Sequence, residues 1–152
     1  MKKTLLVLLL SLIALAADAA SSKLYRGRST YTSDILYSWN GRHLYRGNSS
    51  YTSDIVCTWD GRYLYCGNST YSSDILLTWD GHKVYSGRST YTSDVLYTWD
   101  GRYLYSGNST YSSDILCTIA GGHIYRGRST YTSDILYTIT GIIPIPVLIA
   151  VM

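Results

Sequence analysis

The sequence predicts an all-β protein built from six tandem β-hairpins, and three observations lead to this prediction. A unit of 20 residues occurs six times without any slip in spacing, so that Tyr25 and Asp34 each recur at intervals of 20. A turn dipeptide, such as Asn40-Gly41 or Asp60-Gly61, separates runs of β-branched, aromatic and aliphatic residues. The composition, with 17 tyrosines, 13 glycines and no phenylalanine, favours strands and turns over helices.

Residues 1–19 have the pattern of a secretory signal peptide. Lys2 and Lys3 precede a short apolar run, and Ala17-Asp18-Ala19 places small residues at the two positions that signal peptidase reads. The run is too short for a stable membrane span. We therefore expect cleavage after Ala19 and export to the periplasm, the cell surface or the extracellular medium, with an uncleaved membrane anchor as the alternative.

The charge of the exported chain argues against a nucleic-acid partner. The full chain carries a formal net charge of +3, and loss of two lysines and one aspartate with the signal peptide leaves +2. A nearly neutral domain lacks the basic surface that phosphate binding requires.

Each unit of the repeat domain, residues 20–141, is predicted to contain one strand pair. In the second unit, residues 54–59 form a strand, Asp60-Gly61 forms a two-residue type I′ turn, and residues 62–66 form the returning strand. This turn would place Cys57 opposite Leu64 on the face predicted to form the core, and would leave Thr58 and Tyr65 on the other face.

The connection from each hairpin to the next, residues 67–73 after the hairpin just described, is longer and rich in Gly, Asn and Ser. These residues favour a tight bend because their side chains bond to nearby backbone. We expect Asp74 and its copies to accept backbone N–H groups where the next strand begins.

Two architectures fit this pattern. The favoured one is an antiparallel meander, either coiled into an open superhelix or closed into a barrel; the alternative is a parallel β-solenoid with coils of 20 residues. A solenoid would stack the six repeated aspartates at roughly 4.8 Å, which is repulsive unless each carboxylate is paired. The predicted turns also belong to antiparallel hairpins.

The C-terminal segment, residues 142–152, is apolar and contains Pro144 and Pro146. Prolines two residues apart remove N–H donors from one edge of a strand, as a protected edge strand requires. We predict an edge-capping strand, with a peptide that docks on a membrane or a partner as the alternative. The last two repeats also differ from the others, since Ile119 and Ile139 replace the tryptophan found in the first four.

No pattern of catalysis, cofactor binding or metal binding stands out. The chain has no glutamate for a carboxylate pair and no nucleophile-elbow motif, and its three cysteines lack zinc-site spacing. We therefore predict neither catalytic residues nor metal ligands. Cys57, Cys66 and Cys117 allow one disulfide at most, and the sequence leaves open whether one forms.

Two rows of tyrosine and one variable position remain as candidate surfaces. Simple packing is the first interpretation of both rows, and ligand binding is the alternative. The first row, proposed as a possible binding ladder, contains Tyr25, Tyr45, Tyr65, Tyr85, Tyr105 and Tyr125. The second contains Tyr71 and its copies. The variable surface position, where ligand specificity would be expected, is occupied by His43, Tyr63, Lys83, Tyr103 and His123.

The segment Thr58-Trp59-Asp60-Gly61-Arg62 and its copies resemble the turn of bacterial tandem β-hairpin repeats. The similarity in building plan is to YD repeats and to the choline- or glucan-binding repeats of the cell-wall-binding type. It implies a repeat-built domain of hairpins, and it covers the repeat region.

Together these observations predict an exported, non-enzymatic repeat protein that acts as a binding or scaffolding module. Carbohydrate or a surface protein is the candidate partner. A self-assembling fibre subunit of the functional-amyloid type is the alternative, because the units are nearly identical, weakly charged and rich in Tyr, Ser and Thr. An ice-binding scaffold, suggested only by the repeated Ser-Thr-Tyr-Thr-Ser rows, is less favoured.

Overall fold

The computed structural model describes residues 21–152, so the predicted signal peptide lies outside the described part of the chain. This part contains 12 short strands and one short helix, α1 (Ile145–Ile149). The strands are β1 (Ser22–Arg26), β2 (Ile35–Trp39), β3 (His43–Arg46), β4 (Ile55–Trp59), β5 (Tyr63–Cys66), β6 (Ile75–Trp79), β7 (Lys83–Ser86), β8 (Val95–Trp99), β9 (Tyr103–Ser106), β10 (Ile115–Ala120), β11 (His123–Arg126) and β12 (Ile135–Thr140).

The strands form one closed antiparallel barrel in which sequence neighbours are also neighbours in the sheet. The predicted meander is confirmed, in its closed form, and the parallel solenoid is wrong. β1 closes the barrel by pairing with β12, with Tyr25 opposite Thr138 and Leu24 opposite Ile139. The same pairing occurs inside a single unit at Tyr65 and Thr58. One hairpin of the six is therefore assembled from the two ends of the described chain.

The short turn is centred one residue later than the sequence predicts. A type I′ turn at Asp60-Gly61 needs a positive φ at both residues, but between residues 21 and 152 only glycines have one. Gly61 has φ 100° and is the first central residue, followed by Arg62, as in a type II′ turn. The Asp60 carboxylate holds this turn, since its Oδ1 accepts the N–H groups of Arg62 at 2.9 Å and Tyr63 at 2.7 Å.

The displaced turn moves the pairing register by two residues. Trp59 lies opposite Leu64, and Cys57 lies opposite Cys66 rather than opposite Leu64. A shift of two leaves every side chain on its original face, because side chains alternate with a period of two. The core face was therefore predicted correctly although the partners were not.

The long connections fold back over the outside of the barrel. Each contains a 3₁₀ turn, at Thr32–Asp34, Thr52–Asp54, Ser72–Asp74, Thr92–Asp94, Ser112–Asp114 and Thr132–Asp134. The hydroxyl of buried Thr58 donates to the carbonyl of Gly67 at 2.7 Å, and equivalent bonds recur around the barrel, including Thr138 to Gly27 across the closure. The Asp74 carboxylate accepts the Ser69 hydroxyl at 2.5 Å, so the expectation that it accepts backbone N–H groups is wrong.

The core lies inside the barrel and is completed by the C-terminal segment. Leu24, Leu44 and Leu64 are fully buried on the inner face, and they belong to one hydrophobic cluster with Val147 and Leu148. The predicted edge-capping strand is wrong, because residues 145–149 form α1 instead. The spaced prolines suit the start of a helix, where the first N–H groups need no intrahelical acceptor. Over residues 21–152 we find no helix with the length and apolar character of a membrane span.

Candidate binding clefts between successive turns

A cleft lies between the short turn at Gly61-Arg62 and Trp79 of the following unit. The backbone N–H of Trp79 donates to the carbonyl of Arg62 at 2.8 Å, which fixes the turn of one hairpin beside the strand end of the next. The cavity at this place has a volume of about 540 Å³. It is lined by Gly61, Arg62, Thr78, Trp79, Asp80, Gly81 and Thr90.

The same backbone arrangement recurs around the barrel with different side chains. The backbone N–H of Trp59 donates to the carbonyl of Arg42, and that of Trp99 donates to the carbonyl of His82, each at 2.8 Å. At the next two positions, Ile119 and Ile139 take the place of tryptophan and make the equivalent backbone bonds. The three middle positions therefore place a tryptophan beside a turn that carries an arginine or a histidine, whereas the last two positions carry isoleucine.

The cleft at Trp39 differs because it adjoins the closure of the barrel. Trp39 is only 5% exposed, while Trp59, Trp79 and Trp99 are half-buried. A smaller cavity of about 320 Å³ lies there, and its lining includes Ser21, Lys23 and Asn48. The Lys23 ammonium donates to the side-chain oxygen of Asn48 at 2.7 Å, which ties the first strand to the neighbouring long connection.

The turn aspartates hold the shape of the middle short turns. The Tyr85 hydroxyl donates to Oδ2 of Asp80 at 2.9 Å, while Oδ1 accepts two backbone N–H groups of the turn. Burial alone would raise the pKa of Asp80, but the hydrogen bonds from Lys83, His82 and Tyr85 hold that pKa below its ordinary value. Asp60 and Asp100 are shifted in the same direction for the same reasons. These carboxylates are thus ionised and already occupied by protein donors.

Three members of the first tyrosine row, Tyr65, Tyr85 and Tyr105, have this structural role, since each donates its hydroxyl to a turn aspartate. Tyr25, Tyr45, Tyr65, Tyr85 and Tyr105 are buried, and Tyr125 is half-buried. The hydrogen bond to Asp60 raises the pKa of Tyr65, and burial raises it to a smaller extent. Asp80 and Asp100 raise the pKa values of Tyr85 and Tyr105 in the same way. The hydroxyl groups of these three tyrosines are thus engaged within the protein, and the binding ladder stays a prediction.

The variable position lies half-buried on the outer face beside the first row. His43 and Tyr63 pack edge-on against Tyr45 and Tyr65, and Tyr103 and His123 pack against the tyrosine two residues on in the same way. The Arg62 guanidinium lies 5.3 Å from the centre of the Tyr63 ring. Because Arg62 also lines the cleft at Trp79, the variable position contacts a cleft residue rather than forming a site alone.

The second tyrosine row is the most exposed aromatic surface of the described chain. Tyr31, Tyr51, Tyr71, Tyr91, Tyr111 and Tyr131 are each 75–76% exposed and immediately precede the 3₁₀ turns. The backbone N–H of Tyr71 donates to the Ser69 hydroxyl at 3.1 Å, so the backbone is fixed while the ring is free.

Sequence reasoning missed the clefts, although the residues that form them were visible. The repeated Trp-Asp-Gly-Arg motif predicts a turn, but a turn motif does not show which neighbouring side chains the tryptophan meets. Their meeting depends on the neighbouring unit, since Arg62 and Trp79 belong to different hairpins. Within residues 21–152 no three His, Cys, Asp or Glu side chains are placed to hold a metal ion.

Residues 21–152 thus form a closed ring of tandem β-hairpins in which the short turn of one unit adjoins the strand end of the next. A family model described as "6-fold beta flower protein" matches residues 24–151, so the chain belongs to this family. The match covers the whole barrel apart from the first two residues of β1, and it includes α1. Comparison with curated proteins and with solved structures found no match.

Proposed function

We propose that this protein is an exported, non-enzymatic binding module, and that its ligand sites are the three clefts at Trp59, Trp79 and Trp99. The observation that carries the proposal is a half-buried indole beside the Arg62 side chain in the cavity at Trp79, together with the same backbone arrangement at Trp59 and Trp99. Concave surfaces with an aromatic wall and a few convergent polar groups are the usual form of a ligand site.

Carbohydrate is the ligand class that fits these clefts best. A tryptophan face packs against the apolar face of a sugar ring, and hydroxyl or guanidinium groups such as Thr90 and Arg62 bond to the ring substituents. The turn aspartates leave little capacity for a cation, because both oxygens of Asp80 already accept hydrogen bonds. The resemblance of the turn to glucan-binding repeats supports the same class.

Repetition suits a polymeric ligand. Neighbouring clefts are related by one 20-residue unit, so a polysaccharide could occupy two or three of them at once. Linking weak sites in this way raises the overall affinity by about 10²–10⁴ when the geometry allows simultaneous contact. We therefore expect weak binding of short oligosaccharides and much tighter binding of long chains.

The two other functions considered have less support. A fibre that grows by strand addition needs a free sheet edge, but every described strand has partners on both sides. An ice-binding surface needs a flat array of regularly spaced groups, whereas the Ser-Thr-Tyr-Thr-Ser rows run through bends and 3₁₀ turns.

The test replaces tryptophan with the residue that the chain itself uses in two units. Trp59→Ile, Trp79→Ile and Trp99→Ile are combined in one variant, and Trp39→Ile, at the covered position, is the matched control. The wild-type protein is first screened on an array of neutral and anionic polysaccharides, and hits are measured by isothermal titration calorimetry. We expect the triple variant to bind at least about tenfold more weakly than the control variant. Equal affinity of the two variants, or no binding of any polysaccharide, would refute the proposal.

A further inference from the structure

Cys57 and Cys66 face each other across the hairpin formed by β4 and β5. The N–H of Gly67 donates to the carbonyl of Val56 at 2.9 Å, which brackets the two cysteines as a non-hydrogen-bonded pair. In such a pair the Cα atoms are about 4.5 Å apart and the side chains project to the same face. This separation lies within the range of about 4.4–6.8 Å that a disulfide spans.

This pair of cysteines occurs in one hairpin only. The same opposed positions elsewhere hold Tyr37 and Arg46, Leu77 and Ser86, Tyr97 and Ser106, Cys117 and Arg126, and Tyr137 and Arg26. In each pair a residue of the inner face lies opposite an exposed residue of variable type, and only in the second unit are both residues cysteine. Cys117 has no cysteine opposite it.

We propose that Cys57 and Cys66 form a cross-strand disulfide and that Cys117 stays a thiol. The reaction is thiol–disulfide exchange with a disulfide oxidant, which the exported location would supply. The Cys66 thiolate attacks one sulfur of the oxidant and releases the first thiolate. Cys57 then attacks the sulfur of Cys66 and releases the second thiolate. Two cysteine thiols are oxidised to one disulfide, the oxidant is reduced to two thiols, and the two cysteine protons pass to them.

The surroundings of the two thiols set the order of these steps. Cys66 is exposed and can meet the oxidant, whereas Cys57 is buried. Burial raises the pKa of Cys57 to about 12, with a smaller contribution from the neighbouring Cys66. Little Cys57 thiolate is therefore present at neutral pH. We therefore expect slow closure of the disulfide in the folded barrel and fast closure while the chain is still folding.

The test is peptide mapping of the protein refolded from denaturant in a buffer of reduced and oxidised glutathione. Free thiols are alkylated in denaturant, and trypsin is then added. Trypsin cuts after Arg62, between the two cysteines, so the disulfide would join peptide 47–62 to peptide 63–83. Cys117 lies in the separate peptide 103–126. The expected result is the linked pair, two hydrogens lighter than the sum of its peptides, with Cys117 alkylated.

Two variants keep the outcome interpretable. Cys117→Ser retains the opposed pair and should give the same linked peptides, together with a melting temperature that falls by about 5–10 °C when a reductant is added. Cys66→Ser should show no dependence of melting temperature on reductant. A glutathione adduct on Cys66 with Cys57 alkylated, a link to Cys117, or three alkylated thiols would each overturn the proposal. None of these outcomes bears on ligand binding at Trp79, since neither cysteine lines the cavity there.

Discussion

Replacing Leu148 with alanine should destabilise the barrel far more than replacing Ile142 with alanine. Leu148 lies in α1, is 1% exposed, and belongs to the cluster that includes Leu44 and Leu64 on the inner face. Removing a buried leucine side chain costs about 2–5 kcal/mol, because transfer free energy is lost and a cavity remains. The helix lies inside a closed ring of strands, which cannot collapse freely onto the space left. We therefore expect about 3 kcal/mol and a fall of about 10 °C in melting temperature.

Ile142→Ala is the matched control, because Ile142 belongs to the same C-terminal segment and is 84% exposed. Its replacement should change the free energy of unfolding by less than about 0.5 kcal/mol. Both variants are unfolded in urea, and the transition is followed by tryptophan fluorescence, since Trp39 packs in the same cluster. Equal losses of stability in the two variants would refute the assignment of the C-terminal segment to the core.

Three further predictions concern the closure and the turns. Gly141→Ala should cost about 2–5 kcal/mol in urea unfolding, because Gly141 has φ 78° and an added Cβ would lie 2.3 Å from Oγ of Ser22. Gly121→Ala, at φ 59° with open space around it, should cost only about 1–2 kcal/mol; equal costs would contradict a tight closure. Tyr65→Phe removes the hydroxyl that bonds Asp60 at 2.9 Å and should cost about 1–2 kcal/mol by the same assay, whereas no loss would show that this bond does not support the turn. Because the pKa of Asp60 is lowered from its ordinary 3.8, its stabilising effect should be complete above about pH 4 and lost as pH falls through the folded-state pKa. Asp60→Asn should therefore flatten the acid side of a plot of melting temperature against pH; an unchanged acid limb would contradict this assignment.

The unit of the fold could be predicted well from the sequence, because its signals are local. The 20-residue repeat, the turn at Asp60-Gly61-Arg62 and the alternation of apolar residues all act within one hairpin. They determined the all-β class, the antiparallel meander and the inner face that carries Cys57 and Leu64. The pairing partners were predicted wrongly because the Asp60 side chain competes with backbone acceptors, and dipeptide preferences do not describe that competition.

The candidate site was only partly visible for a related reason. Tyr65 was proposed as a possible binding residue because its spacing is regular, but spacing does not distinguish a buried ring bonded to Asp60 from an exposed one. The cleft was missed because Arg62 and Trp79 come from different units and meet only once the strands pair.

By itself the sequence determined the repeating hairpin and the all-β fold class, since both follow from short-range periodicity and turn chemistry. Only the tertiary structure decided how the ring closes, where the C-terminal segment goes and which residues share a cleft. β1 and β12 are separated by most of the chain, and their pairing depends on the accumulated twist and curvature of all the strands between them. Within the apolar C-terminal segment, residues 145–149 form a helix that buries Val147 and Leu148, because the closed barrel provides an apolar interior that no local pattern reveals.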